Sequence, residues 1–383
     1  MHLSFTRLAT ALVIACTAPL VCAAQPSGLD NQIAIAARKV MAQYNIAGLG
    51  IAITDNGQQR FYPFGVASRE TNTPVSADTL FELGSISKTF TATLATYAQA
   101  QGKLSLDDHP GKYLEPLRGT PLDNATVADL GTHSAGGFPL QLPDEVQTDS
   151  QLMTYFAQWQ PSYAPGTHRT YANPSIGLLG VIAAKSLHMP FREAMQTTLF
   201  PALGLSHTYL QVPPAQMHTY AQGYDKQDQP VRLNPAMLAD EAYEVKSNLR
   251  DLARYLDASM GLVPVEPVWQ KALDATHVGY FKVGPFTQAL IWEQYGYPVG
   301  LDALIQGNSN AMAYDTHPTE PLRPLQLPQA NTWVNKTGAT NGFGAYVAFV
   351  PARKQGIVIL ANKNYPNEAR VRLAYQILGA LDK

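Results

Sequence analysis

The sequence predicts an α+β protein whose antiparallel sheet is built from both ends of the chain, flanked by helices, with an inserted and mostly helical domain. Two observations lead to this prediction. Strand hairpins occur near both termini, and the chain between them carries helical patterns. Strands so far apart share one sheet only if the chain between them is an insertion. We therefore expect a sheet domain at residues 25–84 and 310–383 and a helical domain at 85–309.

The N-terminal part of the sheet domain is predicted to be a helix followed by a hairpin. Apolar residues recur at three- and four-residue spacing over residues 29–44, which predicts a helix with one buried face. Residues 48–54 are typical of a strand, and Asn56-Gly57 is a strong hairpin-turn signal that returns the chain into residues 61–66.

The C-terminal end mirrors this arrangement. Residues 343–350 and 356–361 are rich in strand formers and are joined by a short turn, and a closing helix follows with an apolar spacing over residues 371–381. Between the two ends, residues 85–101 and 174–187 show the clearest helical patterns.

The first 24 residues differ from the rest of the chain. Arg7 precedes an almost wholly apolar run that ends in small residues, the pattern of a secretory signal peptide. We expect secretion without a membrane anchor, and a lipid-attachment site at Cys16 ranks well below this interpretation. Since Cys16 and Cys22 both lie in the leader, the mature chain has no cysteine, which excludes a thiolate mechanism.

The charge balance excludes several classes of partner. The chain has 27 Lys and Arg against 29 Asp and Glu, with no block of either sign. This balance does not suggest nucleic acid or an anionic membrane as a partner. The nine histidines show no metal-binding spacing, so we predict no metal site, no cofactor and a monomer.

Ser85 and Lys88 form the first of three motifs that carry chemistry. In Ser85-Ile86-Ser87-Lys88 the two residues share one face of a predicted helix, so the amine can reach the hydroxyl. Gly84 lets the chain turn into that helix, whose first N–H groups can stabilise an oxyanion. By chance alone, Ser-x-x-Lys occurs about once in a chain of this length, so the motif needs support.

The second motif is Tyr171-Ala172-Asn173, which opens an apolar helix. A phenol beside a lysine ammonium can lose or relay a proton, and an asparagine can bind an amide carbonyl. The spacing recurs at residues 365–367, so this motif is also weak when taken alone.

The third motif is Lys336-Thr337-Gly338, at the start of a predicted strand. A cation and a hydroxyl at an exposed strand edge suit a carboxylate-bearing substrate that adds itself to the sheet. The glycine lets the backbone of such a substrate come close.

Together and in this order, the three motifs resemble the active-site elements of the serine β-lactamase and penicillin-binding protein superfamily. With Tyr-Ala-Asn as its second motif, the chain is similar to class C, the cephalosporinase type, over its whole mature length. The resemblance implies hydrolysis of small-molecule β-lactam antibiotics in the bacterial periplasm, with the active site between the two domains.

Three further stretches also resemble class C. Residues 134–143 are similar to the loop whose glutamine contacts the substrate amide side chain, and residues 240–246 to the helix start after the omega loop. Residues 362–370 are similar to the region that binds the substrate carboxylate. By this resemblance the binding candidates are Gln141, Asn173, Thr337, Gly338, Asn364, Asn367 and Arg370.

Two positions depart from the class C pattern. Asn341 and Glu244 stand where the family usually has glycine. Either residue alters which side chains the pocket admits, and neither removes a catalytic group. The ranking of penicillins, cephalosporins and carbapenems depends on such loop differences and is not set by the motifs.

The chemistry and the resemblance together imply a mechanism. Lys88 and Tyr171 remove the Ser85 proton, and either of them can hold the formal base role because coupled groups titrate as a unit. The resemblance assigns the oxyanion hole to the backbone N–H groups of Ser85 and Ala339. Tyr171 then protonates the lactam nitrogen and, beside Lys336, activates water for deacylation.

Other functions stay open at this point. A D-alanyl-D-alanine peptidase or penicillin-binding protein would carry the same three motifs, whereas an esterase on this fold usually lacks Lys-Thr-Gly. A non-catalytic β-lactam sensor is disfavoured because Lys88, Tyr171 and Lys336 are all present.

Some remaining features have simpler interpretations. Residues 307–311 faintly resemble a nucleophile elbow, but without the required strand and helix they fit a surface loop or a pocket rim better. His133 and His168 lie near the predicted site, and we interpret both as structural or solvated.

Overall fold

The computed structural model describes His2 and residues 28–234 and 236–381. Apart from His2, the predicted signal peptide lies outside these described residues. Among them, no helix is long and apolar enough to cross a membrane.

The structure alternates helices with mostly short strands. The helices are α1 (Gly28–Tyr44), α2 (Ser87–Ala100), α3 (Val127–Gly131), α4 (Asp149–Gln158), α5 (Asn173–Leu187), α6 (Phe191–Glu193), α7 (Phe200–Ala202), α8 (Ala239–Ala242), α9 (Leu249–Ser259), α10 (Pro267–Thr276), α11 (Leu301–Gly307), α12 (Asn310–Tyr314) and α13 (Asn367–Ala380). The strands are β1 (Gly48–Asp55), β2 (Gln58–Gly65), β3 (Phe81–Glu82), β4 (His168–Thr170), β5 (Gly223–Tyr224), β6 (Pro230–Val231), β7 (Lys246–Ser247), β8 (Gly279–Val283), β9 (Phe286–Gln288), β10 (Glu293–Gly296), β11 (Thr316–Pro318), β12 (Glu320–Gln326), β13 (Thr332–Ala339), β14 (Gly344–Val350) and β15 (Gln355–Ala361).

Nine strands form one antiparallel sheet in the order β12-β8-β9-β10-β13-β14-β15-β1-β2. The N-terminal hairpin joins the C-terminal strands directly, with Ile51 of β1 opposite Ile359 of β15. The predicted fold class is confirmed, because one antiparallel sheet draws on both ends of the chain and is flanked by helices.

The sheet reaches further into the middle of the chain than we expected. Strands β8, β9 and β10 belong to it, although residues 279–296 lie inside the range assigned to the helical domain. These strands are short, and β8 alternates buried residues with more exposed ones. No long apolar run marks them in the sequence, so the expected boundary at residue 309 falls too late in the chain.

Two hydrophobic clusters cover the two faces of the sheet. Helices α1 and α13 close one face, where Ile33 and Ile377 are buried with sheet residues such as Ile359. The other face packs against the helical region, in which Leu249 of α9 meets the sheet. Burial of large apolar side chains is worth about 1.5–3 kcal/mol each, which fixes both layers against the sheet.

Helix α2 lies at the centre of the helical region and is buried on nearly all sides. Its threonines are buried too, and their hydroxyls donate to backbone carbonyls: Thr93 bonds to Thr89 one turn earlier at 2.8 Å, and Thr91 bonds to Glu241 at 2.6 Å. This arrangement satisfies polar groups inside the core, so a helix rich in threonine can stay buried. A central helix holds the groups at its N-terminus rigidly.

Candidate active site

Ser85 lies in a one-turn 3-10 helix, Gly84–Ile86, between β3 and α2. Gly84 has φ +53°, and a Cβ there would lie 2.4 Å from the Ala339 carbonyl oxygen. A Cβ on Gly338 would likewise lie 2.0 Å from the Leu83 carbonyl oxygen. The turn therefore packs backbone to backbone against β13, which brings the Ser85 backbone beside that of Ala339.

Lys88 follows in the first turn of α2, and its amine reaches back to the serine. Lys88 Nζ donates to Ser85 Oγ at 2.9 Å and to the Ala242 carbonyl at 2.9 Å, and the side chain is fully buried. Burial, opposed by Tyr171 and reinforced by the charge of Lys336, lowers the pKa of Lys88 to about 8. An amine with this pKa is deprotonated in part near neutral pH.

Tyr171 lies between the two lysines. Lys336 Nζ is 5.1 Å and Lys88 Nζ 5.2 Å from the centre of its ring. Burial raises the pKa of the Tyr171 phenol, but the charges of Lys336 and Lys88, with polar contacts to Ser85 and Lys88, outweigh it and bring the pKa to about 8. Its buried hydroxyl has no well-formed hydrogen bond among the described residues. The phenol can therefore both accept and return a proton.

The three motifs meet at one cavity of about 440 Å³. Its wall includes Ser85, Tyr171 and Lys336, whereas Lys88 lies behind the wall. The other predicted site residues at this wall are Gln141, Asn173, Thr337, Gly338, Ala339, Asn364 and Asn367. Asn341 and residues 307–310 also line it, so the segment that we interpreted as a surface loop or pocket rim forms part of the rim.

Arg370 does not reach this cavity. Its side chain is 1% exposed and donates to the carbonyls of Gly338 at 2.7 Å and Ala345 at 3.3 Å, and to Asn364 Oδ1 at 2.6 Å. We expected Arg370 to contact the substrate directly, but in the structure its guanidinium bonds to β13 and Asn364 on the side away from the cavity. Asn367 stays at the wall, where its amide donates to the Asn308 carbonyl.

A buried ion pair lies beside Tyr171, and neither of its residues belongs to a motif. Arg169 is 2% exposed, and Nη2 lies 3.3 Å from Glu293 Oε1. Arg169 also donates to Gln288 and to the Met312 carbonyl, and Cζ is 5.4 Å from the centre of the Tyr171 ring. The two partners are 124 residues apart. The one hint was the position of Arg169, two residues before the second motif.

His133 also packs against Tyr171, with the two ring centres 4.4 Å apart. Burial and the charges of Arg169, Lys88 and Lys336 hold the pKa of His133 well below its usual value, so the ring is neutral. Its Nδ1 accepts the N–H of Ala172 at 3.3 Å. Within the described ranges, no group of three or more His, Cys, Asp or Glu is arranged to hold a metal ion.

Comparisons with known proteins identify the family. The family model described as beta-lactamase matches residues 34–382. The chain belongs to the beta-lactamase family. The chain is 52% identical over 352 residues to a beta-lactamase from Lysobacter lactamgenus, and the match covers 92% of this chain and 91% of the relative.

Solved structures agree with this assignment. A structure described as a beta-lactamase/D-alanine carboxypeptidase from Pseudomonas syringae is 59% identical to this chain, with a TM-score of 0.91 over 92% of this chain and 99% of that one. A class C beta-lactamase solved with cefoxitin is 48% identical, with a TM-score of 0.90 over 93% and 99% of the two chains. The resemblance to class C that the motifs indicated is confirmed.

Proposed function

We propose that this protein hydrolyses β-lactam antibiotics through an acyl-enzyme on Ser85 Oγ. The observation that carries the proposal is the contact of 2.9 Å between Lys88 Nζ and Ser85 Oγ, at a cavity that Tyr171 and Lys336 also line. A serine hydroxyl becomes a useful nucleophile when a neighbouring base of suitable pKa can take its proton.

Acylation begins when Ser85 Oγ attacks the lactam carbonyl carbon. Its proton passes to the coupled pair of Lys88 and Tyr171, both of which have a pKa of about 8. The backbone N–H groups of Ser85 and Ala339 receive the developing oxyanion, and one such donor is typically worth about 3 kcal/mol. Tyr171 then gives a proton to the lactam nitrogen as the ring C–N bond breaks.

Deacylation reverses these roles with water as the nucleophile. Tyr171 accepts a proton from water, whose oxygen attacks the ester carbon, and the bond to Ser85 Oγ breaks as the serine recovers a proton. Lys336 keeps the surroundings of the phenol cationic, which favours the phenolate. This scheme needs no deacylating glutamate.

The cavity wall offers a binding group for each end of the substrate. Gln141 and Asn173 would hold the amide of the acyl side chain, and Gly338 on β13 would face the substrate backbone. For the substrate carboxylate we assign Thr337, Asn364 and Asn367, with Arg370 supporting them from behind.

Mass spectrometry of the intact protein tests the nucleophile. The wild type mixed with a slowly deacylating β-lactam should gain the mass of one ligand, and Ser85→Ala should gain none. Ser150→Ala, which alters an exposed serine outside the cavity, is the matched control and should acylate normally. An adduct that persists on Ser85→Ala within the active-site peptide refutes the assignment.

D-alanyl-D-alanine carboxypeptidase is the second candidate function. It is favoured by the Pseudomonas syringae structure, whose description names both activities. The two functions differ in deacylation, since a peptidase that is not a β-lactamase hydrolyses cephalosporins in a single stoichiometric burst. Sustained turnover of a cephalosporin supports the first proposal, and a burst with D-alanine release from a peptide supports the second.

We also propose secretion into the bacterial periplasm as a monomer without a membrane anchor, cofactor or nucleic-acid partner. The apolar leader and the balanced charge support this proposal. N-terminal sequencing of periplasmic protein should begin at Gln25, and size-exclusion chromatography with light scattering should give the mass of one chain. A retained leader or a dimer mass contradicts it.

A further inference from the structure

A second cavity, of about 930 Å³, adjoins the one at Ser85. Both cavities have Gln141, Asn173 and Tyr243 in their walls. Gln141 and Asn173 are the residues that we assign to the amide of the substrate acyl side chain. A side chain that continues beyond this amide therefore points toward the second cavity, which we call the acyl-side cavity.

The ionisable side chains around the acyl-side cavity are mostly acidic. Among its described lining residues Arg192 is the only cation, and Arg192 is already paired with Asp240 at 2.9 Å. Glu244 pairs with Lys246 at 3.2 Å. The acids at the wall are Asp144, Asp149, Asp240, Glu241 and Glu244. Asp149 and Glu241 have no ion-pair partner within the described residues, and Arg192 offsets the acidic charge only in part, so the cavity wall is net negative.

Two oxygen atoms at this wall lack a hydrogen-bond donor. Asn173 is 8% exposed, and its Oδ1 has no partner among the described residues. Asp240 Oδ1 is also buried without a partner. An oxygen that is buried without a donor is destabilising, and both atoms can only accept. A ligand that donates hydrogen bonds would satisfy them.

Glu241 is the acid at this wall whose pKa is raised most clearly by burial and by its acidic neighbours. It packs so closely on α5 that a Cβ at Gly180 would lie 2.6 Å from its Cγ. Burial, with the charges of Asp240 and Asp149, raises the pKa of Glu241 to about 7. A cation in the cavity would favour the ionised carboxylate and reverse this effect.

The remaining wall is apolar, with Leu142, Val146, Leu152 and Val181. Such a surface suits a chain of methylene groups between the substrate amide and a charged end. The cavity thus combines an apolar wall for the chain with acidic groups for its end.

We propose that the acyl-side cavity selects β-lactams whose acyl side chain ends in an amine. The apolar wall holds the methylene chain, the substrate amide N–H at its start donates to Asn173 Oδ1, and Asp149, Glu241 and the unpartnered Asp240 Oδ1 receive the ammonium group. The inference rests on the proposed function, because the amide-binding residues decide which end of the substrate enters this cavity.

A matched pair of cephalosporins tests the proposal. One carries a 6-aminohexanoyl side chain and the other a 6-hydroxyhexanoyl side chain, so the two differ in charge at nearly equal length. We expect the wild type to show kcat/KM about tenfold higher for the amine, a preference of the size that a partly buried charge contact gives. The preference should weaken as salt is added.

Three variants assign the preference to the cavity. Glu241→Gln and Asp149→Asn should each reduce the ratio of the two kcat/KM values, whereas Glu266→Gln, which alters an exposed acid outside the cavity, should leave it unchanged. Asp149 is exposed at the start of α4, so its variant serves as the test if Glu241→Gln does not fold.

The possible outcomes separate this inference from the proposed function. Hydrolysis of both cephalosporins with equal kcat/KM overturns the inference and leaves the proposed function intact. A wild-type preference that neither cavity variant reduces also overturns it. If neither cephalosporin is hydrolysed or acylates Ser85, the proposed function itself is wrong.

Discussion

The two adjoining cavities carry opposite charge. Lys88, Lys336 and Arg169 lie around Ser85, whereas the ionisable side chains of the acyl-side cavity are mainly carboxylates. Burial acts in opposite directions on one member of each set: together with neighbouring charges, it lowers the pKa of Lys88 to about 8 and raises that of Glu241 to about 7.

The difference lies in what compensates each set of charges. Glu293 pairs with Arg169 beside the Ser85 cavity, and Tyr171 lies between the two lysines. The acyl-side cavity has no comparable counter-ion for Asp149 or Glu241 within the described residues. The charge of Arg169 is therefore balanced by a carboxylate of the chain itself, whereas the carboxylates of the acyl-side cavity would be balanced by a cationic ligand.

The largest expected effect is the loss of activity when the hydroxyl of Tyr171 is removed from the cavity at Ser85. Tyr171→Phe keeps the ring between the lysines but removes the group that moves the proton, so we expect kcat to fall about 10²–10⁴-fold. Steady-state kinetics on a cephalosporin measures the loss. Tyr163→Phe, at an exposed tyrosine outside the cavity, is the control and should keep full activity. A loss of less than tenfold would show that Lys88 suffices as the base.

The buried ion pair should matter for stability. Arg169→Met leaves the Glu293 carboxylate buried without its cation, and this costs about 3–5 kcal/mol of unfolding free energy. Urea denaturation followed by circular dichroism measures the change. The double variant with Glu293→Gln should recover part of the loss, because the unpaired charge is then gone. Equal stability of the single variant and the wild type would contradict a compensated cavity.

The carboxyl group of Glu241 in the acyl-side cavity should change the free energy of unfolding by an amount that depends on pH. Its pKa in the folded protein is about 7, above the ordinary value of 4.5. Between these two pH values the unfolded chain binds fewer protons than the folded one. The free energy of unfolding therefore falls as pH rises through this window. Glu241→Gln should therefore be more stable than the wild type at pH 8, by about 2 kcal/mol.

The same pair of proteins should differ little at pH 4, where the carboxyl is protonated in both states. Urea titrations at pH 4 and pH 8 measure the two differences. A variant that is less stable than the wild type at pH 8 would mean that the negative charge of Glu241 is already compensated.

Lys336 should set the acid limb of the pH–rate profile. Its charge lowers the pKa of both Tyr171 and Lys88, so Lys336→Gln should raise both values. Because catalysis needs the deprotonated base, the acid limb of kcat/KM should move to higher pH, by about one unit. Rates from pH 5 to pH 10 measure this shift, and an unmoved limb contradicts the electrostatic role whatever the change in rate.

Most of the elements that could be predicted from the sequence follow from local patterns, namely periodic spacing and turn residues. Ser85 and Lys88 are three residues apart, so helical geometry alone brings them together. Asn56 and Gly57 both have positive φ, 52° and 78°, as the predicted two-residue hairpin turn requires. The strands near the two ends of the chain were also predictable, because they are rich in strand-forming residues and are bounded by turn residues.

Contacts between distant residues could not be predicted in this way. Arg169 and Glu293 find each other only after folding, and neither belongs to a motif. Arg370 lies close to Asn364 and Asn367 in the sequence, yet packing turns it away from the cavity. Sequence spacing gives proximity along an element, but it does not say which face of that element the finished core covers.

The glycine at position 338 has a different partner from the one that the motif indicated. The sequence favoured a glycine that admits the substrate, but the nearest atom to a Cβ there is the Leu83 carbonyl oxygen of the chain itself. Any side chain at this position would push the turn at Ser85 away from β13 and misalign the backbone N–H groups of Ser85 and Ala339. We therefore expect changes in antibiotic range to arise at rim residues such as Gln141 and Asn341, since Gly338 has no room for a side chain.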